Sequence, residues 1–106
     1  MATFITTIKF TQQGIAGIDD STKRAMAFKA AAKKLGVKVT NLFWTLGEYD
    51  GLLILDAPDD ETATTVLLHL ASLGNVHTTT VRAFTAAEMD KIVVKHKAAK
   101  IGFTAK

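Results

Sequence analysis

Segments with strand-like and helix-like spacing follow one another along this chain in an order that few folds accommodate. Apolar and β-prone residues alternate over residues 3–10, and apolar residues recur at three- and four-residue spacing over residues 22–35, which predicts a strand and then a helix. Two strands (37–46 and 51–57), a helix capped by Asp59 and closed by Leu73-Gly74, and a fourth strand (75–84) follow. This is the order of an α+β, ferredoxin-like βαββαβ domain, with a four-stranded antiparallel sheet and two helices on one face.

A further helix is predicted after the fourth strand. Thr85-Ala86-Ala87-Glu88 is a capping box, a pattern in which two side chains satisfy the first amides of a helix. We place this C-terminal helix at about residues 86–100, followed by a tail over 101–106. Its apolar stripe, Met89, Ile92 and Val93, is narrow, so we expect the helix to lie on the surface or against a partner.

Composition predicts one folded domain over residues 1–106. Hydrophobic residues make up 48% of the chain and charged residues 22%, as in ordinary globular domains and unlike disordered chains. The absence of cysteine excludes disulfides, thiolate metal sites and cysteine nucleophiles. The sequence shows no leader and no apolar run long enough for a membrane span, so we expect a cytoplasmic protein.

The positive charge of the chain is concentrated at its C-terminal end. The formal net charge is +3, yet five lysines lie from Lys91 onward, and the residues before Lys91 hold eight basic and ten acidic side chains. Nucleic-acid-binding domains instead spread basic residues along one face, with aromatic residues between them. We therefore expect neither nucleic acid nor membrane as a partner, and we interpret the lysines as a solvated helix face.

The hairpin of the second and third predicted strands has two different faces. An even-numbered loop fixes which side chains share a face and places Trp44 opposite Leu55 or Ala57. One face is uniformly apolar and is expected beneath the helices; it holds Leu42, Trp44, Leu46, Leu53, Leu55 and Ala57. The other face holds Asn41, Phe43, Thr45, Leu52, Ile54 and Asp56.

The second of these faces is too apolar to remain in water, because Phe43, Leu52 and Ile54 would form a contiguous exposed patch. The simplest cover is the same face of another copy, since most soluble oligomers are symmetric. We predict a homodimer or a multiple of dimers. The polar residues of the face are candidate ligand-binding residues in a pocket, or the polar part of an ordinary wet interface; they are Asn41, Thr45 and Asp56, with Arg82 as a further candidate.

Gly47-Glu48-Tyr49-Asp50, with several separated segments, resembles the GYD family of small bacterial proteins, named for a glycine–tyrosine–aspartate signature. The other matching segments are Lys9-Phe10-Thr11, Phe43-Trp44-Thr45-Leu46-Gly47, Ala57-Pro58-Asp59-Asp60, Leu73-Gly74-Asn75-Val76 and Arg82-Ala83-Phe84-Thr85. The resemblance runs from about Phe4 to Glu88. It implies a dimeric α/β barrel, in which two ferredoxin-like sheets face one another, and it implies no biochemical activity.

Tyr49, Asp50, His77 and Arg82 are the residues with the clearest chemical potential. An acid beside a phenol can position or deprotonate a small substrate, although Asp50 before Gly51 is also a turn signal, which we favour. His77 is the histidine best suited to act as an acid or base near neutral pH. Arg82 on the same strand is suited to hold a carboxylate or phosphate, or to form an intersubunit ion pair.

Other residues give weaker signals. His69, His77 and His96 lack the close spacing of a metal site, so we expect no metal. We interpret Trp44 as a core residue. The segment Gly14-Ile15-Ala16-Gly17 matches no dinucleotide or phosphate-binding fingerprint, so we expect no cofactor and interpret the segment as a flexible loop or lid.

Two functions are compatible with these patterns. The first is the binding or transformation of a small molecule in a pocket of the barrel, which predicts that residues such as His77, Arg82, Tyr49 and Asp56 converge on a void. The second is a non-enzymatic oligomeric interaction or regulatory module, which predicts no such convergence. No nucleophile with an adjacent base is recognisable in the sequence.

Overall fold

The computed structural model describes residues 1–99 and confirms the predicted α+β fold. The strands are β1 (Ala2–Phe10), β2 (Lys38–Trp44), β3 (Gly51–Ala57) and β4 (Val76–Ala83). The helices are α1 (Gln12–Ala16), α2 (Ser21–Lys34), α3 (Asp60–Ser72) and α4 (Ala86–Ala98), with a 3₁₀ turn at Ile18–Asp20. The four strands pair antiparallel in the order β2-β3-β1-β4.

The core lies between α2, α3 and one face of the sheet. Leu53, Leu55 and Ala57 alternate along β3 with half-buried residues and are buried. Full burial of a side chain the size of Leu55 contributes about 1.5–3 kcal/mol to stability. Thr6 is also fully buried, and its hydroxyl is hydrogen-bonded to the Thr80 hydroxyl at 2.8 Å, which offsets the loss of water. The other buried hydrophobic residues are Phe4, Phe28, Ala32, Val37, Val39, Ala63 and Val66.

The predicted helix boundaries at α2 and α3 rest on identifiable contacts. Asp59 caps α3, because its Oδ1 accepts a hydrogen bond from the Thr62 amide at 2.7 Å. The hydrogen bonds with Thr62 lower the pKa of Asp59 below its ordinary value. Gly36 and Gly74 follow the ends of α2 and α3 with φ of 79° and 82°, the left-handed conformation that glycine adopts without steric cost.

The hairpin between β2 and β3 has a different register from the predicted one. Trp44 pairs with Gly51 and not with Leu55 or Ala57. The Thr45 amide donates to the Asp50 carbonyl at 2.9 Å, so residues 46–49 form the loop. The chain reverses around Gly47, whose φ is 139°, and the Asp50-Gly51 turn signal is not used. Leu46, predicted to lie beneath the helices, is therefore exposed in the loop.

The predicted faces of the paired hairpin residues are nevertheless confirmed. Leu42 lies opposite Leu53 on the helix side, and Phe43 lies opposite Leu52 on the other side. The register changed by an even number of residues, which leaves side-chain orientation unaltered. An irregularity at Thr40, between two paired positions of β2, shifts the alternation by one residue, as a β-bulge does.

The segment between β1 and α2 is ordered by specific contacts and is not the free loop predicted. It forms α1, capped by Thr11, whose hydroxyl accepts from the Gly14 amide and donates to the Gly74 carbonyl. The Thr11 amide donates to the Asn75 carbonyl at 3.0 Å, and the Gln13 side chain donates to the Leu73 carbonyl. These bonds fasten α1 to the connection between α3 and β4.

The sheet face turned away from α2 and α3 is not covered by any element within residues 1–99. Ile5 pairs with both Ile54 and Val81, and Leu52 pairs with Phe43, so these five apolar side chains lie together. Phe43 is 54% exposed and Val81 is 56% exposed. We call the surface formed by Ile5, Phe43, Leu52, Ile54 and Val81 the open sheet face.

Helix α4 follows the sheet without joining the core. The predicted capping box is present, with Glu88 N–H bonded to the Thr85 hydroxyl and Thr85 N–H bonded to the Glu88 carboxylate. No residue of α4 is buried, and Met89, Ile92 and Val93 remain exposed. The helix ends at Ala98, and the rest of the predicted helix and tail, residues 100–106, lies outside the described part of the chain. Among residues 1–99, no helix combines the length and apolar character that crossing a membrane requires.

Candidate functional site

An apolar cavity of about 370 Å³ opens between α2, α3 and the end of the sheet where β1 finishes and β3 begins. We call it the helix–sheet cavity. Its wall on α2 consists largely of small side chains, Ala25, Ala27 and Ala31, which leave space that larger residues would fill. The larger apolar side chains of the wall are Ile8, Phe10, Phe28, Leu42, Trp44, Leu53, Leu70, Leu73 and Val76, and Phe43 borders the cavity at the end of β2. The volume lies within the range of roughly 300–1,000 Å³ typical of small-ligand sites.

Few polar side chains reach this cavity. They are Ser21 and Arg24 from α2, Asp50 before β3, His69 from α3 and Asn75 before β4. Their positions follow from the topology, because the ends of three strands and the start of α2 meet at this edge of the sheet. An apolar wall with a few polar groups is typical of sites that bind small molecules.

Arg24 places a guanidinium at the cavity and is held in position by two hydrogen bonds. Its guanidinium donates to the Gly17 carbonyl at 2.6 Å and to the Gly14 carbonyl at 3.3 Å, in partly buried hydrogen bonds. Both acceptors are neutral, and the ion pair found within residues 1–99 joins Arg82 to Glu88 instead. The positive charge of Arg24 therefore has no carboxylate partner in the described chain, and a guanidinium has five N–H donors in all.

Trp44 lies at the edge of the cavity and not in the core. The side chain is 44% exposed, and its Nε1–H donates to the Ser21 hydroxyl at 2.9 Å. The prediction of a core tryptophan is wrong because β2 is an edge strand that ends at this residue. The predicted face is correct, since Trp44 lines the cavity on the helix side.

Tyr49 and Asp50 close the hairpin. The Asp50 carboxylate accepts a hydrogen bond from the Phe10 amide at 2.8 Å, and the Asp50 amide donates to the Ile8 carbonyl at 2.8 Å. Tyr49 contributes its backbone carbonyl, which accepts from the Thr45 hydroxyl at 2.6 Å. These contacts give the signature a structural role at the end of the hairpin, although not the predicted Asp50-Gly51 turn, and Asp50 also lines the cavity.

The remaining candidates on the sheet lie apart from the cavity. Asn41 and Asp56 are on the side of the open sheet face, where Asp56 accepts from the Thr3 hydroxyl at 2.9 Å. His77 is exposed on the same side and pairs with Lys9. Since Asp56 pairs with Thr3 near the start of β1, it is separated from His77 by about 20 Å along the strand.

Arg82 faces the helices and not the open sheet face. Its guanidinium lies 4.5 Å from the Phe84 ring centre and 5.6 Å from the Phe4 ring centre. It donates to the carbonyls of Thr3 and Ala83 and pairs with Glu88 at 3.6 Å. The prediction that Arg82 belongs to the polar residues of the interface is therefore wrong. Arg82 pairs with the core residue Phe4, and directly paired residues lie on the same side of the sheet. Arg82 lines a second groove, which lies beside α3.

The predicted site residues therefore do not converge on one void within a single chain. Asp50 alone among them reaches the helix–sheet cavity, and Arg24 and Ser21 were missed. A sequence signal for both exists, since Ser21, Arg24 and Phe28 continue the apolar stripe of α2 toward its N-terminus at helical spacing. The exposed His69 and His96 belong to no cluster of three metal-ligating residues within residues 1–99.

The chain matches known proteins over most of its length. The GYD domain model covers residues 4–93. A glutamine synthetase and cystathionine beta-lyase binding protein of Thermus thermophilus is 31% identical over 90 residues, a match that covers 84% of this chain and 95% of that protein. The crystal structure of TTHA0845, from the same organism, has a TM-score of 0.54 at 25% identity, over 81% of this chain and 96% of that one. The signature, the fold and these matches agree: the chain belongs to the GYD domain family.

Proposed function

We propose that this protein is a non-enzymatic binding protein, which pairs with a second copy through the open sheet face and docks on other proteins in that assembled form. The observation that carries the proposal is the uncovered row formed by Ile54, Ile5 and Val81 across three adjacent strands. Contiguous apolar surface of this kind marks interaction sites in soluble proteins.

A second copy is the occupant that fits this face best. The face is a regular strand surface with apolar residues at its centre and polar residues, such as Asn41, Asp56 and His77, around it. A central apolar patch with a polar rim is the usual anatomy of a protein interface. Two identical faces related by a two-fold axis satisfy each other without a further partner.

Docking on other proteins is supported by the relative from Thermus thermophilus, which is named as a binding protein of glutamine synthetase and cystathionine beta-lyase. The scattered positions of His77, Tyr49 and Arg82 in the single chain favour binding over catalysis. We take the glutamine synthetase and the cystathionine beta-lyase of the organism that makes this protein as the first partners to test.

Self-association is tested by light scattering on purified wild-type protein and on Ile54→Lys. We expect a wild-type dimer, or a multiple of dimers, and a monomeric Ile54→Lys, because the substitution places a charge at the centre of the interface. Leu68→Lys is the matched control, since Leu68 is an exposed apolar residue on α3. A monomeric wild type, or equal effects of the two substitutions, would contradict the proposal.

Partner binding is tested by titrating each purified enzyme with the protein in a calorimeter. We expect saturable binding with wild type and Leu68→Lys, and weakened binding with Ile54→Lys if assembly precedes docking. The absence of binding to both enzymes would remove them as partners.

A small-molecule binding function is the second candidate, and the helix–sheet cavity favours it. Native mass spectrometry of freshly purified protein tests both candidates, because one spectrum reports subunit number and retained ligands. A reproducible small-molecule adduct that is lost in the cavity-filling variant Ala31→Phe supports this function. An adduct retained by Ala31→Phe would place the ligand elsewhere.

A further inference from the structure

We propose that the helix–sheet cavity binds a small molecule with an apolar body and an anionic head, and that the Arg24 guanidinium receives the head. The inference rests on the small-molecule candidate function and names its ligand class. A carboxylate on an alkyl or aryl body is the simplest such ligand.

The apolar body is indicated by the cavity wall. Alkyl and aromatic side chains from both helices and from the sheet form most of it, among them Phe28, Leu53 and Leu70. Each methylene that leaves water for such a wall contributes about 0.8 kcal/mol. Strongly polar molecules would leave most of their groups without hydrogen bonds there.

The anionic head is indicated by the hydrogen-bond donors that remain at the polar end of the cavity. Arg24 uses two of its N–H groups on backbone carbonyls and keeps others for a ligand. Ser21 accepts from Trp44, which leaves its hydroxyl proton available. The side-chain Oδ1 of Asn75 accepts a hydrogen bond from the Gln13 side chain, which leaves the side-chain N–H₂ of Asn75 as a donor. Carboxylates bind preferentially to such a set of donors.

Among residues 1–99, Asp50 is the one carboxylate that lines the cavity, and it has a different role. Its Oδ2 accepts from the Phe10 amide, while its backbone amide and carbonyl bond to Ile8 and Thr45. These bonds hold the ends of β1 and of the hairpin together. The Asp50 carboxylate is therefore occupied by the backbone, whereas Arg24 offers a ligand head both a positive charge and N–H donors that remain free.

Trp44 provides the signal for a test, because it is the only tryptophan of the chain and lines the cavity. The probes are decanoate, decanol and decylammonium, which share one apolar body, titrated below their micelle concentrations. A ligand in the cavity shields the indole from water and shifts its emission to shorter wavelength. We expect decanoate to bind roughly tenfold more tightly than either of the other two, from its charge-assisted hydrogen bonds.

Variants then assign the head to Arg24. In Arg24→Gln we expect the affinity for decanoate to fall to that for decanol, with decanol binding retained. Lys23→Gln is the matched control, since it removes one charge from an exposed residue of the same helix outside the cavity, and it should keep the preference. Ala31→Phe should abolish binding of all three probes, with the fold checked by circular dichroism.

The outcomes separate this inference from the function on which it rests. Equal affinity for the three probes, or a preference for decylammonium, would overturn the assignment to Arg24 and leave small-molecule binding in place. A preference for decanoate that persists in Arg24→Gln would also overturn the assignment. If no probe changes the Trp44 emission and none gives heat in calorimetry, both the ligand class and the cavity function fail.

Discussion

Gly14 and Asp50 each lie where two separate parts of the chain come close together. A Cβ at Gly14 would lie 2.0 Å from the Asn75 carbonyl oxygen, so glycine allows α1 to pack against the start of β4. Asp50 supplies a carboxylate to the Phe10 amide, at the position where β1 ends. Asp50 lines the helix–sheet cavity, as does Asn75, against which Gly14 packs. The effects of the two residues can be measured separately.

Gly14→Ala should destabilise the protein. The overlap with Asn75 outweighs the roughly 1 kcal/mol that alanine gains over glycine within a helix, and we expect a net loss of about 1–3 kcal/mol in the free energy of unfolding. Urea denaturation measures it. Gly17→Ala is the control, because a Cβ there meets the flexible end of Arg24 at 3.1 Å. Equal losses in the two variants would contradict the close-contact explanation.

Asp50→Ala should lower the free energy of unfolding by about 1–3 kcal/mol, because the Phe10 amide loses a charged acceptor. Asp50→Asn retains an oxygen acceptor and should lose less. Tyr49→Phe should change stability by less than about 0.5 kcal/mol, since Tyr49 contributes a backbone carbonyl to the turn. A large loss in Tyr49→Phe would show that the phenol has a structural role which the described contacts do not explain.

Helix α4 depends on its first turn more than on packing. None of its residues is buried, so the capping box and the Arg82–Glu88 pair connect it to the sheet. The hydrogen bond from the Thr85 amide is the main cause of a Glu88 pKa below its ordinary value of 4.5. An exposed helix held in this way is expected to respond to pH.

Acid should loosen the first turn of α4 through Glu88. Because the Glu88 pKa is lower in the folded state than in the unfolded state, the contribution of Glu88 is fully present above about pH 4.5 and decreases as the pH falls through the folded-state pKa. The protection of the α4 amides against hydrogen exchange, measured as the ratio of the intrinsic rate at each pH to the observed rate, should decrease over this range. Glu88→Gln should remove most of this pH dependence in α4 and leave that of α3, where Asp59 is the cap. An unchanged acid response in Glu88→Gln would contradict the role of the capping box.

At the scale of the whole molecule, the sheet separates two kinds of surface. One face carries the core and the helix–sheet cavity, and the other carries the open sheet face. The two proposed functions therefore occupy opposite sides of the sheet. Substitutions on one side should leave the other side intact, except at Phe43, which belongs to the open sheet face and also borders the cavity.

If the open sheet face is an interface between copies, thermal stability must depend on protein concentration. The midpoint of thermal unfolding should rise by roughly 2–5 °C for each tenfold increase in wild-type concentration. In Ile54→Lys it should be lower and independent of concentration. Differential scanning calorimetry at several concentrations measures both, and a concentration-independent wild-type midpoint would contradict self-association.

The residue pattern alone predicts the order of the four strands and of the three longer helices, the faces of the hairpin and the capping box. These features depend on residue spacing and on contacts within one turn, which are local. Asp59 caps α3 and Glu88 completes the capping box of α4, as the sequence pattern predicted. Leu42 and Phe43 face the predicted sides because an even register shift preserves side-chain orientation.

The register of the hairpin, the docking of α1 and the composition of the cavity depend on contacts that exist only in the folded chain. The chain reverses at Gly47 and not at Asp50-Gly51, because the ladder with β1 fixes where β3 begins. The orientation of Arg82 was ambiguous, since threonines occupy both faces of β4 and alternation gives no contrast there. Helical spacing places Arg24 on the same face of α2 as Phe28, but it does not show which sheet residues line the cavity with it. Those residues come from distant parts of the chain, and no local spacing predicts which distant segments come together.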